Sequence, residues 1–264
     1  MKRTIVAALT SALLSSSAFA DEMKLAVTTS FHNSGLSDIL LPQIKEDTGI
    51  EVQLLVVGTG QAIKLGEAGD VDAILVHSRK AEDTFLAGGY GMHRREIMYN
   101  DFVFIGPSTD AAMIADAESA ADALGRIMAA QAPFISRGDD SGTHKKELSL
   151  WAAAKIVPEG AWYNAVGAGM GAALNTAAGL EAYIMADRAS WLNFGNKGNL
   201  ALLYAGDAIL FNQYAYLPVN PDKHEHVRTE LAAELEAWLV SDTAKALIND
   251  YKINGETLFV FNAE

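Results

Sequence analysis

Short apolar runs alternate along the chain with longer segments whose apolar positions recur every three or four residues. Residues 23–27, MKLAV, read as a strand. Residues 34–48 place Leu36, Ile39, Leu40 and Ile44 on one helical face, with Asn33 or Ser34 as the cap, Gly49 as the stop and Pro42 as a candidate bend. Residues 51–57, EVQLLVV, predict a second strand ending in Gly58-Thr59-Gly60; a short helix follows from Gln61, then a strand at 71–76. Strand–helix alternation of this kind indicates a parallel α/β sheet.

A second α/β set starts near Ile105. It predicts a helix around 118–130, a strand at 133–136, a helix at 143–154 and helices within 170–187. Residues 200–204 and 208–211 read as strands, the chain continues through Asn212-Gln213-Tyr214 into 215–219, and helices at 222–240 and 242–250 close it. The β-rich stretches 98–106 and 208–219, carrying Tyr99-Asn100 and Asn212-Gln213-Tyr214, look like passages between two lobes. The first lobe is then discontinuous (21–104 and 211–264) and the second a continuous insert (105–210). A ligand would sit in the cleft between them, at the carboxyl ends of the strands.

The head of the chain reads differently. Met1-Lys2-Arg3 is basic, residues 4–16 are apolar and small, and Ala18 and Ala20 form an A-x-A pattern. Together these predict a signal peptide at 1–20, cleaved after Ala20, and a mature protein in the periplasm. The apolar run is too short to span a bilayer, and no other stretch reaches that length without charges.

Charge and cysteine usage narrow the function. The chain holds 20 Lys and Arg against 33 Asp and Glu, a formal charge of −13, which becomes −15 (18 against 33) once Lys2 and Arg3 are removed. Such a surface disfavours nucleic acid and anionic lipid as partners. With no cysteine there is no disulfide framework, thiolate metal site, iron–sulfur cluster or thiol nucleophile. At 264 residues, half of them hydrophobic, the chain can bury a core without such staples.

Three polar loops follow predicted strands: Thr28-Thr29-Ser30, Gly58-Thr59-Gly60-Gln61, and the stretch from Ser136-Arg137 through Asp139-Asp140-Ser141 to Thr143-His144. Each opens a helix, so each offers unpaired amides and the positive end of a helix dipole. Only the third adds a full positive charge; the planar fork of Arg137 suits an oxyanion. Singly, each loop is also what a cap or turn looks like, and Arg137 could pair with Asp139 or Asp140. On one edge of an α/β protein, the three together point to a buried anion site.

The competing readings are weaker. Ser141 and His144 lie within one helical turn and the nucleophile elbow is missing, which disfavours a phosphoester hydrolase built on them. His224 and His226 flank Glu225 in a polar segment and read as a solvated cap, with adventitious metal binding the alternative. Gly167-Ala168-Gly169-Met170-Gly171 follows no clear strand, so a dinucleotide loop is not indicated. Trp151, Trp162 and Trp191 read as packing residues.

Matching blocks span nearly the whole mature chain: Thr28-Thr29-Ser30 with Ser34-Gly35-Leu36, VGTGQA at 57–62, VH at 76–77, GGYG at 88–91, MYNDFVFIGP at 98–107, SRGDDSGTHKKEL at 136–148, GMGAALNTA at 169–177, DR at 187–188 and VNP at 219–221. In these the chain resembles the tungstate-binding periplasmic receptors (TupA-type) that feed an ABC importer. The resemblance implies a two-lobed type II periplasmic binding protein that closes on its ligand, a non-enzyme without cofactor, monomeric, handing tungstate or molybdate to a membrane permease. It carries the binding role onto Thr28, Thr29, Ser30, Thr59, Arg137, Ser141 and Thr143. Two departures stand out: Phe31-His32-Asn33 replaces small polar residues and an aspartate, and Val27 replaces the first of three threonines. Tungstate, molybdate and sulfate only accept hydrogen bonds at neutral pH, whereas phosphate keeps a proton and needs an acceptor. With Asp139 and Asp140 beside Arg137, a phosphate or sulfate receptor stays open as an alternative.

Overall fold

A computed structural model describes residues 21–139 and 141–263. The predicted signal peptide and Asp140 lie outside the described residues. The first parallel set is β1 (Asp21–Thr28), β2 (Ile50–Val57) and β3 (Ala73–Val76). The second is β5 (Phe134–Ser136), β6 (Tyr163–Ala165) and β7 (Tyr183–Asp187). Two long strands, β4 (Arg95–Pro107) and β9 (Phe211–Pro218), join them in the order β2-β1-β3-β9-β4-β7-β5-β6. The strands β8 (Leu200–Tyr204) and β12 (Val260–Phe261) also pair with β4. The hairpin β10 (Lys252–Ile253) and β11 (Glu256–Thr257) stands apart.

Helices cover both faces of each set. In the first lobe, α2 (Leu36–Thr48), α9 (Thr229–Leu239) and α10 (Asp242–Asp250) bury one apolar layer with Phe31, Leu36, Trp238 and Phe259. On the opposite face, α3 (Thr59–Ala68) and α4 (Arg79–Ala87) pack around Ile74 and Phe85. In the second lobe, α5 (Ala120–Ala129) and α6 (Gly142–Ala153) enclose Phe134, Trp151 and Trp162. Its other face carries α7 (Met170–Leu180) and α8 (Arg188–Asn193), with Trp191. The three tryptophans are therefore core residues. The architecture is the two-lobed α/β fold expected from the alternation.

Strand register fixes where the two lobes meet. Val76 at the end of β3 pairs with Ala215, and the neighbouring Tyr214 pairs with Met98. Asp187 at the end of β7 pairs with Phe102. The strand β3 points toward the second lobe and β7 toward the first. The carboxyl ends of the two sets thus face each other across residues 98–102, roughly 13 Å of β4 at ~3.3 Å per residue. Side chains tie the passage together: Asn212 donates to Asn100 (2.9 Å), and Gln213 donates to the Met98 carbonyl (3.0 Å).

Several expectations are corrected. Residues 183–187 are the strand β7, flanked by β4 and β5, not helix. Residues 208–210 form a 3-10 turn capped by Asp207, and the strand begins at Phe211. The helix predicted from 222 begins at Thr229. The start of α2 is Gly35, with positive φ and no side-chain cap, rather than Asn33 or Ser34. The helix after β2 opens at Thr59, not Gln61. The glycine stretch 167–171 does follow a strand, β6. His224 is half-buried and His226 exposed ahead of α9, and both side chains are tied down as well as solvated. Their Nε2 atoms donate to the carbonyls of Glu67 (2.9 Å) and Gly69 (2.8 Å), holding the far end of α3. Among the described residues no cluster could hold a metal ion, and no helix is long and apolar enough to cross a membrane.

Candidate functional site

Six helices start on the two facing edges. The helix α4, after β3, carries Glu82 in its first turn and α8, after β7, is capped by Asp187; the other four differ. The short helix α1 (Thr29–Asn33), together with α3, α6 and α7, carries no acidic residue in its first turn. Asp38, Asp122, Glu230 and Asp242 occupy the first turns of α2, α5, α9 and α10. An acid in the first turn stabilises a helix by answering its dipole. In so acidic a chain, four helix starts on the cleft edges leave that positive end unanswered.

In the first lobe, Thr28 ends β1, is buried, and caps α1 by accepting from the Phe31 amide (3.3 Å). Phe31 fills the core rather than the cleft. Ser30 Oγ lies 3.1 Å from Thr28 Oγ1, 3.1 Å from the Tyr214 hydroxyl and 3.2 Å from His77 Nε2. His77 follows β3 and is half-buried. Burial drives its pKa down to about 4, against smaller opposing effects of its own backbone carbonyl and the Asn212 side chain. Burial likewise raises the Tyr214 phenol, so both groups are neutral at pH 7.

In the second lobe, Arg137 follows β5 and forks onto Asp139: Nη2 and Nε both donate to Oδ2, at 2.5 and 3.2 Å. Asp139 Oδ1 accepts the Ser141 amide at 3.2 Å. Burial alone would raise the Asp139 carboxyl; hydrogen bonds from Ser141 and Arg137 outweigh it and hold the pKa below the usual value. Both carboxylate oxygens are spent inside their own loop. Ser141 Oγ caps α6 by accepting from the His144 amide (3.3 Å). That leaves the Gly142 and Thr143 amides without a protein partner among the described residues, as helix starts do. One turn on, buried Glu147 accepts from Trp151 Nε1 (3.1 Å) and the Tyr163 hydroxyl (2.8 Å), anchoring α6 to β6.

The two lobes meet where Gly142 backs onto His77. A Cβ on Gly142 would stand 3.4 Å from His77 Cε1. The structure therefore brings Thr28 and Ser30 into one cluster and Arg137 and Ser141 into another, joined at this contact. Thr29, Thr59 and Thr143 sit at the starts of α1, α3 and α6, and no hydrogen bond among the described residues engages their hydroxyls. Beside Ser30 lies a cavity of about 230 Å³, lined by Asn33, Gly171, Asp187, Ser190 and Asn193. Asp187 caps α8, accepting from the Ser190 amide (2.9 Å) and hydroxyl (2.7 Å). His77, Tyr214 and Asp187 were not among the predicted site residues. The signal available was a polar residue closing or following an apolar strand, as His77 follows AILV and Asp187 ends YIMAD.

A family profile for the PBP superfamily domain matches residues 15–243. The chain is 45% identical over 243 residues to the tungstate-binding protein TupA of Peptoclostridium acidaminophilum, covering 90% of this chain and 85% of that one. The chain belongs to the TupA family of the PBP superfamily. The solved TupA tungstate-binding protein from Desulfovibrio alaskensis G20 superposes with a TM-score of 0.87 at 44% identity, covering 93% of this chain and all of that one. A solved structure titled as the tungstate ABC transporter from Geobacter sulfurreducens gives 0.78 at 46% identity, over 87% and 98% of the two chains. These TupA structures share the two-lobed architecture built above from register and packing.

Proposed function

We propose that this protein is a periplasmic receptor that captures tungstate, or the near-isosteric molybdate, between its lobes and delivers it to the permease of an ABC importer. One observation carries the reading. Four of the six helix starts on the facing edges have no acidic residue in their first turn, and beside them stands Arg137, whose partner Asp139 already accepts at both carboxylate oxygens. Such a site is rich in donors and poor in free acceptors, which a fully ionised tetrahedral dianion requires.

In this reading Thr29, Ser30, Thr59 and Thr143 donate through hydroxyls, and α6 donates through the Gly142 and Thr143 amides. Arg137 supplies the charge. Thr28 and Ser141 act mainly by fixing the starts of α1 and α6. Hydrogen bonds to a charged group contribute about 1.5–3 kcal/mol each, so a handful offsets the desolvation of a dianion. The receptor works as a monomer, without cofactor or catalysis, with lobe boundaries at 104/105 and 210/211. Names borne by relatives and the shared architecture support this; they speak for capture and transport.

The test is thermal unfolding of the mature protein with tungstate, molybdate, sulfate and phosphate in turn. A ligand at a thousand times its dissociation constant adds about 4 kcal/mol of stability. A large rise with tungstate and little with sulfate or phosphate is expected, and Arg137→Ala should abolish it while keeping the fold. A rise with phosphate alone would displace tungstate as the ligand. No rise with any anion would sink the receptor reading.

A further inference from the structure

The start of α4 departs from the other helix starts on the first lobe's facing edge, because Glu82 stands in its first turn. That carboxylate is turned into the lobe. It is wholly buried and both oxygens are engaged: Oε1 accepts the Ser78 amide (2.6 Å) and Oε2 accepts the largely buried Arg94 through Nε (2.6 Å). The negative charge is answered inside. Arg79 and Lys80, the first two residues of α4, are exposed.

Ser78, which opens α4, is also out of pattern. Six other helical segments begin after a Ser, Thr or Asp: Thr28, Ser119, Ser141, Asp187, Asp207 and Ser241. Each of these side chains accepts an amide of its own first turn, at ψ between 132° and 170°. A cap of this kind stabilises a helix start. Ser78 has a ψ of 84° and makes no cap. Its amide is drawn inward to Glu82, and no hydrogen bond among the described residues engages its hydroxyl. The residue is half-buried.

The register of β3 places that hydroxyl. Ile74 and Val76 pack in the core under α3, Leu75 packs in the opposite core, and His77 reaches Ser30. Alternation puts Ser78 on the side of Val76, where Thr59 opens α3. The residue before it, His77, is the one that Gly142 of the second lobe backs onto. A hydroxyl without a partner thus stands one residue from the contact between the lobes, with two cations following it.

We propose that Ser78 is a further ligand-binding residue, whose hydroxyl donates to the bound oxyanion from the first lobe. The inference rests on the oxyanion-receptor reading and adds the end of β3 to the three loops that form the site. Forgoing the cap weakens the start of α4 and leaves a donor available, which a fully ionised dianion can use.

The experiment measures tungstate affinity by calorimetry and ligand-free stability by thermal unfolding, in wild type, Ser78→Ala, Ser78→Asp and Ser119→Ala. Ser78→Ala should weaken tungstate binding roughly ten- to hundredfold, the worth of one hydrogen bond to an ion, and leave the ligand-free unfolding temperature unchanged. Ser78→Asp keeps a residue suited to a helix start, so the ligand-free protein should hold its stability; it also sets a carboxylate against the dianion and should abolish binding. Ser119→Ala removes a cap that is made, onto the Asp122 amide of α5, and should lower the unfolding temperature by about 2–4 °C with tungstate affinity unchanged. Wild-type affinity in either Ser78 variant overturns the proposal. So does a fall in the unfolding temperature of Ser78→Ala matching that of Ser119→Ala, since the hydroxyl then serves the fold. Both results leave the receptor reading intact while wild type binds tungstate; wild type that binds none overturns both.

Discussion

Lowering the pH should weaken the fold through His77 in a way that one substitution isolates. The imidazole is neutral and half-buried, with a pKa pushed down to about 4 from 6.5. Above pH 6.5 both folded and unfolded chains hold it neutral, and it contributes no pH dependence. Between 6.5 and 4 the unfolded chain binds a proton that the folded one refuses, so stability falls as pH falls. Below 4 both states are protonated and the loss stops growing. The gap of about 2.5 between the two values, at ~1.36 kcal/mol per tenfold, limits the loss to about 3 kcal/mol, with most of it present by pH 4.5. Against a typical total of about 5–15 kcal/mol this is a large fraction. Urea unfolding followed by tryptophan fluorescence, at pH 7.5 and 4.5, reads it in wild type and His77→Gln. Glu82 and Glu147, raised by burial, and Asp139, lowered by its partners, titrate alike in both proteins and cancel in the comparison. Wild type should lose about 2 to 3 kcal/mol more than the variant on acidification. Equal losses would refute the reasoning, because His77 would then be taking up its proton in the folded state.

Two further outcomes follow from the same geometry. Thr143→Val removes one donor without changing charge and should weaken tungstate binding roughly ten- to hundredfold, the worth of one hydrogen bond to an ion, with calorimetry as the check. Arg188→Met strands the carboxylate of Asp101, now held by Nε at 2.7 Å and Nη2 at 2.6 Å, and should lower stability by about 3 kcal/mol in chemical unfolding.

The alternation of strands and helices was legible because most elements carry a one-sided apolar pattern. It failed where that pattern is absent. The strand β7, YIMAD, is buried at every position, so neither a two-residue nor a helical period marks it, and it merges with the alanine-rich helix before it. The helix α4, RKAEDTFLA, buries only Glu82 and Phe85, and the sequence reading assigns it no element. The run AILF at 208–211 is apolar enough for a strand, yet Asp207 caps the first three residues into a turn.

The candidate site divided along a similar line. Arg137, Ser141 and Thr143 sit within one loop, and their association is written in consecutive residues. His77 has no such company: Ser30 is 47 residues away, and Ser30 is 184 residues from Tyr214. A lone histidine after a strand gives no local sign of what folding places around it. The pairing of Arg137 with Asp139 was an open alternative in the sequence, and geometry decided it by occupying both carboxylate oxygens.

The helix α8 changes how the halves of this molecule can move. It follows a strand of the second lobe, yet Ala189 is buried in the first lobe's core and Trp191 in the second's, while Leu192 packs against both. Arg188 grips Asp101 on β4, and Asn254 of the terminal hairpin donates to the Leu192 carbonyl (3.1 Å). A pair of adjacent strands can twist and shear as well as bend. A third tether set off their line resists that twist and shear. Any parting of the two halves would have to carry α8 with one of them and strain its contacts with the other, so their relative movement is costlier than two strands alone would make it.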